Sequence, residues 1–113
     1  MNNNEIKALY IVANAGFSDD IIDIARKEGI RGATIVNARG EGSHHESIMG
    51  ITIDSEREML ICITDSQSAE RAMAAIQKEA GIKTPKHAIC FIMPVEKAVG
   101  LINADEDIGR RTL

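Results

Sequence analysis

"ATIVNARGEGSHHESIMG", residues 33–50, starts as one kind of structure and ends as another. Ala33 to Arg39 carries Thr, Ile and Val in the density expected of a β-strand. After Val36 no large hydrophobe occurs until Ile48. The interval holds Gly40 and Gly42, the adjacent histidines His44 and His45, and Glu41 and Glu46 on either side of the pair. Such a stretch suits a phosphate cradle, a metal site or a plain connection, and the flanking sequence has to decide which.

Upstream, Ile6 to Ala13, "IKALYIVA", has the length and apolar content of a strand. Asn14-Ala15-Gly16 turns the chain. Ser18 then stands where a helix cap is wanted, with Asp19 and Asp20 placed to complement the helix dipole. Ile21, Ile24 and Ala25 form the apolar side of that helix, and Gly29 is its stop. Downstream, Glu58 to Thr64, "EMLICIT", reads as a third strand. Asp65 or Ser66 caps a second helix whose Ala69, Ala72, Met73, Ile76 and Ala80 make one stripe, and Gly81 ends it. A basic loop, "IKTPK", leads to a fourth strand over His87 to Met93. The order βαββαβ predicts an α+β, ferredoxin-like fold, a four-stranded antiparallel sheet with two helices on one face.

That arrangement has a packing consequence. The first, third and fourth strands are nearly continuous apolar runs, so both faces of the sheet call for burial. Two helices joined by right-handed crossovers cover one face only. A lone subunit would leave a patch drawn from Leu9, Ile11, Ile61 or Ile63 and their neighbours in water, which soluble monomers avoid. The expectation is a symmetric homo-oligomer joined through sheet faces.

The totals narrow the function. At 113 residues the chain makes one domain, expected over residues 1–102 with a polar tail at 103–113. Aromatics are 3% against 44% apolar residues, so the core has to be aliphatic. Thirteen Lys and Arg against seventeen Asp and Glu give a net charge of −4, which argues against nucleic acid as a partner. No apolar run approaches the ~18 residues of a membrane span, and the polar start over Met1 to Glu5 is no signal peptide, so a cytoplasmic location is expected. Cys62 and Cys90, each inside an apolar run, read as reduced, buried thiols.

Two stretches resemble the PII signalling protein superfamily. "GATIVNARGEG", Gly32 to Gly42, is similar to the segment in which Gly-x-Thr opens the second strand and Gly-x-Gly begins the long T-loop. "FIMPVEKAVGL", Phe91 to Leu101, resembles the end of the family's fourth strand. The resemblance implies a homotrimer with sheets facing inward, and an adenine nucleotide (ATP, ADP or AMP) as small-molecule effector in the clefts between subunits. It implies Gly32, Ala33 and Thr34 against the adenine, Gly40, Glu41 and Gly42 as backbone at the T-loop base, and Arg57, just before the third strand, on phosphate. Lys83 and Lys86 would add charge. It further implies a non-enzymatic regulator acting through the T-loop on a target protein, with a membrane transporter or a metabolic enzyme as the class of target.

The chain departs from the family pattern in ways that bear on the ligand. Ser43 and His44 fall where the family usually has Arg and Gln. The T-loop is shortened and has no tyrosine, since the sole tyrosine is Tyr10 on a strand, so uridylylation at the usual place is excluded. "GIKTPKHA" lacks the family's glycine-rich phosphate loop, and "VGLIN" has no arginine where the family places two. With so few cations, a less phosphorylated nucleotide or another small anion is expected.

Three further features bear on function. His44 and His45 with Glu41 and Glu46 are metal-ligand types. Adjacent side chains on an extended chain point to opposite sides, however, so a solvated loop is the default and a CutA-like divalent-metal-binding trimer is the rival reading. His87 reads as structural or as a ligand contact. No Ser–His–Asp or Cys–His arrangement is recognisable, so catalysis is not expected.

Overall fold

The computed structural model describes residues 5–40, 46–48, 51–53 and 55–100. Its order is β1 (Ile6–Asn14), α1 (Ser18–Lys27), β2 (Thr34–Gly40), β3 (Glu46–Ile48), β4 (Ile51–Ile53), β5 (Ser55–Asp65), α2 (Ser66–Ala80) and β6 (Ile89–Pro94). Four strands form one antiparallel sheet in the order β2-β5-β1-β6, the ferredoxin-like arrangement expected from sequence. The register pairs Leu9 with Cys62 and Ile92, and Ile11 with Leu60 and Cys90. These residues share the helix side, where Leu9, Ile11, Leu60 and Cys62 pack with Ile21, Ile76 and Ala80 in one core.

Leu9 and Ile11, expected in an exposed patch, are therefore fully buried beneath the helices. The patch exists, but it is made of their neighbours. Val36, Ile63, Ile89, Phe91 and Met93 lie on the opposite face, each between 39% and 53% exposed. Tyr10 stacks on Phe91 at the centre of that face, ring centroids 5.0 Å apart. On the helix side the cover stops short of the edge strand, since Ile35, paired with Leu60, remains 44% exposed.

Both helices sit where the periodicity puts them. Ile21, Ile24 and Ala25 of α1 are buried, as are Ala69, Ala72, Ile76 and Ala80 of α2, with Met73 half-buried beside them. Their starts differ. Phe17, not Ser18, occupies the cap position of α1 and supplies no side-chain cap. Ser18 instead turns its hydroxyl to the Glu58 carboxylate, 2.5 Å away, because that acceptor is offered by the neighbouring strand. Asp65 does cap α2, accepting from the Ser68 N–H at 2.9 Å. Desolvation pushes the Asp65 carboxyl up, but hydrogen bonds from Ser68 and Thr64 outweigh it and hold it below the usual carboxylate range. At the end of α1, Gly29 takes φ +101°, and the N–H groups of Gly29 and Ile30 return to the carbonyls of Arg26 and Ala25. This is the Schellman closure, which requires a left-handed residue.

Strand limits differ from the sequence expectation at several places. β5 begins at Ser55, so Arg57 lies inside a strand instead of before one. β2 runs on to Gly40 and pairs Ala38 with Arg57 and Arg39 with Glu56, which holds this polar segment extended. β6 begins at Ile89, because His87 adopts φ +50° and turns the chain. Between β2 and β5, a stretch expected only as loop, β3 and β4 pair as a two-stranded ribbon with Ser47 opposite Thr52.

Cys62 and Cys90 are both free. They flank β1 on the same face, with two strand spacings of ~4.8 Å between them, which exceeds the Cα separation a disulfide allows. Burial pushes the Cys62 thiol up to about 11. Among the described residues no helix is long and apolar enough to cross a membrane.

Candidate functional site

Alternation along β5 sends two adjacent charged residues to opposite faces. Glu58 lies opposite Ala13, on the helix side. Its carboxylate accepts from the Ser18 hydroxyl and, at 3.0 Å, from the Gly16 N–H. Those hydrogen bonds, the Ser18 one foremost, hold its pKa below the usual carboxylate value. Glu58 thus fastens the turn between β1 and α1 to β5. Arg57, one residue earlier, lies opposite Asn14, on the open face. Its Nη1 donates to Asn14 Oδ1 at 2.7 Å.

Asn14 reaches further. Its Nδ2 donates to the Pro85 carbonyl at 2.8 Å, and its backbone N–H donates to the Lys86 carbonyl at 3.0 Å. The loop between α2 and β6 is thereby pinned against the end of β1. Within that loop, the Thr84 hydroxyl and N–H both donate to the Gly81 carbonyl, the His87 N–H donates to the Thr84 carbonyl, and the Ala88 N–H donates to the Ala80 carbonyl. His87 Nδ1 stands 3.1 Å from the Ile82 carbonyl oxygen, an acceptor, so that nitrogen carries the proton. Lys86 extends its ammonium over the Phe17 ring, 5.5 Å from the centroid. The result is one asparagine that holds the half-buried Arg57 at the rim of the open apolar face and ties down the backbone at Pro85 and Lys86, while the half-buried Lys86 turns its ammonium to Phe17, a ring packed against the helix-side core.

Gly40, the last residue of β2, lies at this same end of the sheet, opposite Ser55. Lys83 is exposed on the pinned loop. Gly32, Ala33 and Thr34 are elsewhere. Thr34 pairs with Ile61 and Ala38 with Arg57, so four residues at ~3.3 Å each put ~13 Å of strand between the two groups. A Cβ added at Gly32 would meet nothing within 4 Å, so the packing of this chain does not explain that glycine. Beside it, α1 and β5 leave a shallow apolar dent lined by Ile22, Ala25, Ile30, Ala33, Leu60 and Cys62, too narrow for a water molecule. Glu41, Gly42, His44 and His45 lie outside the described residues, as does the tail at 103–113. Among the described residues no three of His, Cys, Asp and Glu are grouped to hold a metal ion.

Sequence reading missed Asn14 and Glu58. Asn14 registers in the sequence only as a turn former, and Glu58 only as the start of a strand. The available signal was position: a polar residue closing an otherwise apolar strand needs a partner there.

The family model for nitrogen regulatory protein P-II matches residues 6–104. No curated protein matches the chain. Among solved structures, a protein from Thermus thermophilus described as PII-like and signalling superimposes with TM-score 0.63 at 24% identity, over 84% of this chain and 91% of that one. The B. subtilis GlnK–ATP complex gives TM-score 0.64 at 13% identity, over 84% and 85%. CPII, a nitrogen regulatory PII-like protein from Thiomonas intermedia K12 bound to ADP, AMP and bicarbonate, gives 0.63 at 18% identity, over 85% and 96%. At these identities the structural likeness speaks for the fold.

Proposed function

Because this chain belongs to the nitrogen regulatory protein P-II family, we propose that it is a non-enzymatic signalling protein, a homotrimer that takes an adenine nucleotide at the seams between subunits. The observation that carries the reading is Arg57, fixed by Asn14 at the rim of an uncovered apolar face, with the Lys86 backbone tied to the same asparagine. Copies joined through that face bring the rim of one subunit against its neighbour. Thr34 lies on the same face as Arg57, and Gly32, with open space around it, leaves room for a base from an adjoining cleft. Gly40, Glu41 and Gly42 offer backbone N–H groups to phosphate, and Lys83 adds charge from the pinned loop. The GlnK complex with ATP and the CPII complex with ADP and AMP support the ligand class. The cytoplasm, where nucleotide effectors vary with metabolism, is the fitting location.

Nucleotide bound there biases the segment between β2 and β5, which contacts the target protein. A transporter or a metabolic enzyme is the target class. Val99 and Gly100 bring no arginine to the site, so ADP and AMP are expected to bind at least as tightly as ATP. Calorimetry with ATP, ADP and AMP tests this directly. Binding that falls in Arg57→Ala and in Gly42→Asp supports the proposal. A protein silent to all three nucleotides, or a monomer by light scattering, ends it.

A further inference from the structure

We infer that Asn14 is the positioning residue of the anion site, an amide that aims the Arg57 guanidinium and ties the loop at Pro85 and Lys86 to the end of β1, so that the guanidinium meets a phosphate group in a fixed direction. The inference rests on the reading that Arg57 contacts a nucleotide. Its basis is a side chain used from both ends. Oδ1 accepts from Arg57 Nη1 at 2.7 Å while Nδ2 donates to the Pro85 carbonyl at 2.8 Å. The backbone of the same residue donates to the Lys86 carbonyl at 3.0 Å. Three elements distant in sequence, β1, β5 and the loop before β6, therefore meet at one residue.

The chemistry favours an amide over its near relatives. A carboxylate at position 14 would accept from Arg57, but it would neutralise the cation and face the Pro85 carbonyl with like partial charge. An alanine would free the guanidinium to swing and release the loop. A glutamine, one methylene longer, would overshoot one partner when it met the other. Asparagine alone among these satisfies a guanidinium and a carbonyl while leaving the positive charge intact. Arg57 retains N–H donors beyond the one Asn14 uses, because a guanidinium carries five. Asn14 itself need not touch the ligand, so it is a positioning residue and acts through Arg57.

The test is a double-mutant cycle on the full chain, with ADP as titrant in a calorimeter and ATP and AMP as controls. Arg57→Ala is expected to weaken ADP binding roughly ten- to hundredfold, the range for a charge-assisted hydrogen bond. Asn14→Ala is expected to weaken it about tenfold in the wild-type background and less than about twofold in the Arg57→Ala background, since the asparagine works through the arginine. Asn14→Asp keeps the size and the Arg57 contact, so it guards against mere loss of folding. It is expected to melt no lower than Asn14→Ala yet to bind ADP at least as weakly, with part of its deficit recovered at high salt. Additive losses in the cycle, or Asn14→Asp binding ADP like the wild type, overturn the positioning role and leave the nucleotide reading standing. A wild type that binds none of the three nucleotides overturns both.

Discussion

The two faces of the central sheet are built from the same strands and nearly the same residue types, yet they meet different fates. On one face Leu9, Ile11, Leu60 and Cys62 are sealed under α1 and α2. On the other, Val36, Ile63, Ile89, Phe91 and Met93 keep much of their surface in water. Composition does not separate them. The difference arises from connectivity, because right-handed crossovers deliver both helices to the same side. A strand that is apolar on both faces thus has one face covered by its own chain and the other left open to a partner.

The contrast breaks most sharply on the covered side. Leu60→Ala removes a fully buried side chain where the surroundings are already packed on Ile11, and a loss of ~2–5 kcal/mol is expected in denaturant unfolding. Further along the same strand, Ile63→Asp places a charge on the open face. The expected result is a fall in mass by light scattering from assembly to single subunit, with the far-ultraviolet circular dichroism unchanged. If the mass holds, the open face is not the contact.

Smaller effects sharpen the comparison at the margins of the covered side. Asp65→Ala leaves the Ser68 N–H at the start of α2 without its acceptor, for a loss of ~1 kcal/mol seen as a lower melting temperature. The smallest effect is the acid response of Glu58. Its folded pKa lies below the unfolded value, so its contribution is present above the unfolded value and fades as pH falls through the folded one. Ser18→Ala removes the leading cause, and the acid limb of a stability–pH curve should flatten accordingly. An unchanged limb would place the acid sensitivity in other carboxylates.

The existence and order of the four main strands and both helices are plain in the sequence, because apolar runs and a 3.6-residue stripe are local signals. Face assignment is another matter. Leu9 and Tyr10, or Ile61 and Cys62, are all apolar, and a continuous run carries no alternation from which to tell inside from outside. That is why Leu9 and Ile11 look as ready for the open face as their neighbours do. Glu56 and Arg57 look like loop in the sequence, and it is the pairing of Arg57 with Ala38 and Asn14 that sets it within a strand. Asn14 cannot be valued from sequence at all. Its partners lie 43 and 71 residues away, and a turn-forming asparagine looks alike whether or not it bridges them.

One consequence of the Tyr10–Phe91 stack is optical. The chain has a single tyrosine and no tryptophan, so its ultraviolet emission comes from one ring, seated in the middle of the face that copies would share. The phenol is an intrinsic reporter: its intensity and anisotropy on dilution track whether subunits are joined, with no dye attached.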